Sequence, residues 1–259
     1  MKLLAIALGA LALGAAPPKP VQLGVSFPEG FSSRQMVDRV AAVRRLAIRK
    51  RHVTPLLTAK AYAAALKKTP PPAPFRPYMH TRSLEGFLFP SLYEFGPSTT
   101  APQLIALQLR EFASQWRRVG AIPKSTTPYD VLTVASMVER EAAVAAERPL
   151  VAAVIYNRLA QGMPLGIDAT LRYGLGIPGT RPLTKAQLAT DTPYNTRLHA
   201  GLPPTPISNP GLPSLRAAAR PAPVDYLYYV RIPGTVTHYF TADYADFCTH
   251  VTEYGYGSC

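Results

Sequence analysis

The sequence predicts an α+β fold, and three observations predict it. Capped amphipathic helical patterns fill the middle of the chain, a strand-like run opens it near Val21, and short β-rich runs close it around a Pro-Gly turn. In the expected arrangement a central helix lines a groove walled by the later loops and strands. With 259 residues the chain can bury a substantial core in one large domain.

The N-terminal run MKLLAIALGALALGAAPPKP has one Lys, an apolar stretch from Leu3, and small residues at Gly14, Ala15 and Ala16 before a proline-rich segment. At about 14 residues the apolar stretch is short for a membrane span, so residues 1–16 read as a secretory signal, with an uncleaved anchor as the alternative. Residues 17–259 then form the functional domain, in an exported protein of the cell envelope. Export permits a disulfide between Cys248 and Cys259, although free thiols or pairing between chains fit the sequence equally.

Val21 to Phe27 is the first expected strand, ended by the turn Pro28-Glu29-Gly30. SSRQMVDRVAAVRRLAIRKRHV then reads as a basic amphipathic helix capped by Ser32 or Ser33. Its cluster Arg44, Arg45, Arg49, Lys50, Arg51 and His52 is expected to be a solvated face rather than a binding patch. TPPPAPFRPY is expected to be a stiff connector without regular structure, and LEGFLFPSLYEF (residues 84–95) an aromatic contribution to the core. A helix from about Ala101 to Val119 carries the only tryptophan, Trp116.

The next helix is the most informative. In TTPYDVLTVASMVEREAAVAAERP, Thr127 suits the N-cap, Pro128 the first helical position, and Asp130 the electropositive first turn. The pattern carries the helix to Pro149. At about 100° per residue, Glu141 falls among Val134, Met137, Val138, Val144 and Ala145. Thr133, Ser136, Glu139, Arg140, Ala143 and Glu147 face the other way, with Glu139 expected on a solvated face. A carboxylate on an apolar stripe must be neutralised, paired or placed in a cleft. Glu141 is therefore a candidate general acid, the alternative being a structural Glu paired with a distant Arg.

PLVAAVIYNRLAQG reads as a further helix stopped by Gly162, and Asp168-Ala169-Thr170 opens a short one. Thr192-Pro193-Tyr194-Asn195-Thr196 leads into GLPPTPISNPG, a rigid run suited to a binding wall. DYLYYVRI and THYFTAD are strands of a hairpin turned at Pro233-Gly234.

Lys and Arg total 28 against 15 Asp and Glu, a formal charge of +13 that favours anionic partners such as nucleic acid, a membrane surface or an acidic wall polymer. No recognised nucleic-acid module accompanies the charge, and an export signal argues against that partner. The sequence has no His-Glu-x-x-His, zinc-spaced cysteine pair, Walker loop or dinucleotide fingerprint. His80, His199, His238 and His250 are scattered, and Ser136 and Cys248 lack an evident base, which leaves carboxylate chemistry with no cofactor and no metal.

Several blocks in fixed order carry a resemblance: VSFPEGFSSRQMVDRV, LEGFLFPSLYEF, LTVASMVEREAAVAAERPLVAAVIYNRLAQGMPL, IDATLRYGLG, TPYNTRLHAGLPPTPISNPGLPSLRAAARP, and YLYYVR followed by HYF. Together they span nearly everything from Val21 to Phe247, and they resemble the endolytic murein transglycosylases, the MltG or YceG-like family. The resemblance implies cleavage of the β-1,4 bond between N-acetylmuramic acid and N-acetylglucosamine within peptidoglycan strands. It maps the family's catalytic Glu to Glu141, the residue the helical wheel selects. It further implies sugar-binding roles for Asp168, Thr170, Tyr194 and Asn195, with Glu85 as a polar cleft residue, and cell-wall synthases as partners. Each has a bland alternative: Asp168 as a helix cap, Asn195 as a turn residue, Tyr194 as packing. The chain differs from the family pattern in having Gly166 and Ile167 before Asp168, Thr205 after the double proline, and no recognisable LysM-like subdomain ahead of Val21. A muramidase on the same scaffold and a non-catalytic peptidoglycan-binding protein are the competing functions.

Overall fold

The computed structural model describes residues 21–259, so the expected signal segment 1–16 lies outside the described residues. The fold is α+β, with two small antiparallel sheets set among helices. Among the described residues no helix is long and apolar enough to cross a membrane.

The N-terminal layer joins β1 (Leu23–Ser26), α1 (Ser33–Arg51), α2 (Ala59–Lys68), β2 (Leu92–Phe95) and α3 (Ala101–Trp116). β1 pairs with β2 so that Leu23 faces Phe95 and Ser26 faces Leu92. Ser32 caps α1 in a reciprocal arrangement with Gln35, which satisfies two of the backbone donors that a helix start leaves free. Val25, Phe27, Met36, Tyr62, Leu104 and Ile105 bury their side chains in the core of this layer. α2 was not evident from its Ala-rich pattern, since it buries little beyond Tyr62 and Ala65. The expected irregular connector is instead a 3₁₀ helix over Ala73–Tyr78, drawn into shape by Phe75, which stacks edge-on against Phe87 and Trp116.

A second core surrounds α4 (Pro128–Glu141), which packs against α5 (Arg148–Ala160), α6 (Asp168–Leu175) and α8 (Leu212–Ala219). Between α6 and α8 lies only the single turn α7 (Lys185–Leu188). Thr127 caps α4 with Asp130 reciprocating, as the sequence predicts. Two expectations need correction here. The helix stops at Glu141, where Ala142 turns extended, and a 3₁₀ turn (Ala145–Glu147) leads into α5. Nor is the face opposite Glu141 solvated along the body of α4, because Tyr129 and every residue from Val131 to Val138 are buried and only Arg140, near the end, is exposed. Thr133 and Ser136 enter the core because their hydroxyls bond back to the carbonyls of Tyr129 and Thr133. Each buried aliphatic side chain on this helix contributes roughly 1.5–3 kcal/mol relative to exposure.

The run from Gly201 to Gly211, expected as a binding wall, lies largely in the interior. Ser136 holds it, accepting from the Ile207 amide at 3.0 Å through its hydroxyl and from the Ser208 hydroxyl at 3.0 Å through its carbonyl. Pro206 presses so closely on Gly86, whose φ is +90°, that neither the space nor the backbone there admits a side chain.

The expected C-terminal hairpin is present: β3 (Tyr228–Arg231) pairs with β4 (His238–Thr241), with Gly234 at φ +73° in the connection. α9 (Tyr244–Glu253) packs on it, and Cys248 is paired with Cys259, one of the arrangements the sequence allows. α5 pins the hairpin lead-in, as Asn157 donates to the Val224 and Tyr226 carbonyls and Arg158 to that of Leu227.

Candidate active site

Glu141 is the last residue of α4, and its position does more than the apolar stripe suggested. The carbonyl end of a helix dipole disfavours an anion placed there. Burial acts in the same direction and is the main reason the Glu141 carboxyl is pushed above its ordinary range, with the Asp168 charge adding to it. A hydrogen bond from the Tyr229 hydroxyl to Oε2 at 3.0 Å pulls the other way, as do His238 and Arg140. The Tyr229 phenol is itself held well above its usual value, by burial first and then by the neighbouring Glu141 charge, so it stays protonated as a donor.

Tyr229 reaches Glu141 because the hairpin is fastened to the corner between α4 and α5. Glu147 accepts from the His238 amide and contacts His238 Nδ1, both at 2.8 Å. His238 then meets the edge of the Tyr229 ring at 5.3 Å between centroids. Glu147 is thus buried and paired rather than turned to solvent, a second correction to the helical wheel. Glu139 corrects it again. Its side chain is only 7% exposed, it accepts from the Gly211 amide at 3.0 Å, and it lies 3.9 Å from Arg148. It serves the N-terminus of α8, where an acceptor is favoured.

The residues singled out from the loops divide into one that reaches the Glu141 neighbourhood and several that support it. Asp168, in the first turn of α6, is half-exposed and held by Arg197, whose Nε and Nη2 donate to Oδ1 at 3.2 and 2.6 Å. Its charge is felt at both Glu141 and Tyr229. Thr170 is buried, donating to the Ile167 carbonyl at 2.7 Å and meeting the Thr196 hydroxyl at 3.0 Å. Asn195, also buried, donates to the Leu188 and Thr190 carbonyls and accepts from the Arg197 amide. Together these bonds fix the loop that presents Arg197 to Asp168.

Tyr194 bonds Thr205 at 2.9 Å and packs on Tyr173, and it sits so close to Gly174 that a Cβ there would fall 2.7 Å from its own. Glu85 is buried beneath them. Its oxygens accept from the Ser33 amide and hydroxyl, the Tyr173 hydroxyl at 3.0 Å and the Asn209 amide at 2.8 Å. Burial nevertheless dominates and pushes its carboxyl up to about 7. A pocket of about 290 Å³ lies over Glu85 and Tyr173, and its wall includes Arg140 and Ala169, the chain neighbours of Glu141 and Asp168.

Sequence reasoning missed Tyr229, His238, Glu147, Arg158 and Arg197. Strand alternation in YLYYVR shows that Tyr228 and Tyr229 take opposite faces, but which face meets Glu141 depends on contacts 88 residues away. Tyr228 takes the other side, under the Arg158 guanidinium at 5.2 Å.

Known proteins bear on this constellation. A protein from Bacillus subtilis (strain 168) named endolytic murein transglycosylase is 39% identical over 150 residues, 57% of this chain and 41% of the relative. One of the same name from Streptococcus pneumoniae serotype 2 is 29% identical across 92% of this chain and 46% of its own length. The chain thus spans less than half the length of these curated relatives. A crystal structure of a yceG-like protein from Listeria monocytogenes superposes with a TM-score of 0.66 at 28% identity, covering 86% of this chain and 74% of that one. The family description matches residues 5–253, nearly the whole sequence, and the chain belongs to the YceG-like family.

Proposed function

We propose that this chain is an endolytic lytic transglycosylase, cleaving the β-1,4 bond between N-acetylmuramic acid and N-acetylglucosamine inside peptidoglycan strands. The observation that carries the reading is the Glu141 carboxyl, inclined to keep its proton by burial and yet tied to one phenol that favours its conjugate base. Such a group gives and takes a proton in turn. Glu141 protonates the glycosidic oxygen as the bond from C1 breaks. Its carboxylate, stabilised by the Tyr229 hydroxyl, then removes the proton of the muramic acid 6-hydroxyl, and O6 closes onto C1. No water is consumed, and the product ends in 1,6-anhydro-N-acetylmuramic acid. The Asp168 charge favours the positive character that develops at C1.

Glu141→Gln tests the assignment. It is expected to abolish strand cleavage while leaving the fold and strand binding in place, and near-normal turnover would remove the basis of the proposal. One observation favours a second reading: Asp168 brings a second carboxylate into electrostatic range, as a water-activating base of a muramidase would. Its Oδ1 is committed to Arg197, which makes the intramolecular 6-hydroxyl the better nucleophile.

Export to the cell envelope is part of the proposal, supported by the apolar N-terminal run and by the Cys248–Cys259 disulfide, which suits an oxidising compartment. Wall synthases at the membrane are the partner class that such an activity serves.

A further inference from the structure

We infer that the pocket walled by Arg140, the chain neighbour of Glu141, is an anion subsite that takes a carboxylate carried on the lactyl arm of muramic acid, either the lactyl carboxylate itself or one on the attached stem peptide. The inference rests on the transglycosylase reading above and adds a specificity determinant to it.

The pocket lies between α1 and the turn that follows α6. Three arginines line it, Arg34, Arg140 and Arg172, against two acids, Asp38 and Glu85. Glu85 faces inward onto its own donors and offers little to balance the arginines. Arg172 is committed to the carbonyls of Pro178 and Arg181, which stiffens the turn. Arg34 and Arg140 are different. Among the described residues neither has a carboxylate within ion-pairing distance, and the polar contact of Arg140 is a long one, 3.4 Å to the Gly30 carbonyl.

Both guanidinium groups close on one short turn. A side chain at Gly176 would collide with Arg34 Nη1, and one at Gly179 would meet Arg140 Nη2 at 3.4 Å. The turn between them, Gly176-Ile177-Pro178-Gly179, carries no acid. Asp38 in the same wall pairs with neither guanidinium, so the two converge with one acid beside them and a net positive charge, an arrangement that recognises a carboxylate through charge-assisted hydrogen bonds. The location supplies the ligand class. The wall shares Arg140 and Ala169 with the Glu141 and Asp168 neighbourhood, and the lactyl arm branches from C3 of the same sugar whose C1 is attacked.

The test measures binding to the Glu141→Gln chain, which holds strands without cutting them. Three probes are used: peptide-bearing strands, amidase-denuded strands that retain only the lactyl carboxylate, and peptide-bearing strands with every carboxylate amidated. Arg34→Gln is expected to weaken binding about tenfold on the strand type whose anion fills the pocket, with partial recovery in Arg34→Lys and no effect on amidated strands. An effect on peptide-bearing strands alone assigns the stem peptide, and one on denuded strands assigns the lactyl group. Equal weakening on amidated strands, or no weakening on any, overturns the inference. Should Arg34→Gln fail to fold, amidating the carboxylates of either peptide-bearing or denuded strands must lower the affinity of the Arg34 chain by a similar factor, and failure of both to do so also overturns it. A chain with intact Glu141 that binds in this pattern but yields no anhydro ends refutes the transglycosylase reading and leaves the anion subsite standing.

Discussion

Replacing Tyr229 by Phe removes one hydrogen bond and little else, and the outcome has a predictable sign. The ring stays packed against His238 and Phe240, whose centroids lie 5.3 and 5.6 Å away. What is lost is the 3.0 Å donation to Glu141 Oε2, a bond that favours the carboxylate. Hydrogen bonds to charged groups contribute roughly 1.5–3 kcal/mol, and the half-buried setting of Glu141 puts this one at the low end, enough for a rate effect of about tenfold. The carboxyl pKa moves upward, since burial and the Asp168 charge then act with less opposition. In a pH profile of kcat/KM for strand cleavage, the alkaline limb, which reports loss of the acid's proton, should move to higher pH. The plateau should fall roughly tenfold, because the conjugate base formed on proton transfer is less stable. Unchanged thermal melting would show that the fold is intact. An alkaline limb that stays put, or moves toward acid, would refute the role given to this pair.

Glu85→Gln addresses stability rather than turnover. Because burial raises the Glu85 carboxyl from 4.5 to about 7, the folded chain holds a proton that the unfolded chain has released. This contribution is fully present below about pH 4.5 and is lost as pH rises through about 7, up to about 3 kcal/mol, so the variant should flatten the pH dependence of denaturant melts across that window. An unaltered slope would contradict it, whatever the variant does to absolute stability. Glu139→Gln should cost about 1–2 kcal/mol of stability by weakening the Gly211 amide contact and the approach to Arg148, while activity per folded molecule stays within about threefold. A severe loss of turnover without destabilisation would move Glu139 from the scaffold into the reaction.

How much of this could be read from the sequence depended on the range of the interactions involved. Thr127-Pro128, the Ser32 cap and the Pro233-Gly234 turn act within a few residues, and each forms the element that its local chemistry specifies. Glu141 was legible because a carboxylate on an apolar stripe is costly wherever it occurs. The wheel erred where satisfaction came from afar. Thr133 and Ser136 could be buried because backbone carbonyls accept from them, and Glu139 and Glu147 because Gly211 and His238 come to meet them. The same distance hid Tyr229, whose tie to Glu141 exists only once Glu147, Asn157 and Arg158 have fixed the hairpin in place.

The central claim is that Glu141 alone passes the proton between leaving group and 6-hydroxyl, so that water never enters the product. Digestion of purified peptidoglycan in heavy-oxygen water, followed by mass analysis of the released ends, tests this most directly. The account predicts 1,6-anhydro-N-acetylmuramic acid ends without label, absent when Glu141→Gln is used. Labelled reducing ends as the main product would contradict it and make Asp168 the base of a hydrolase.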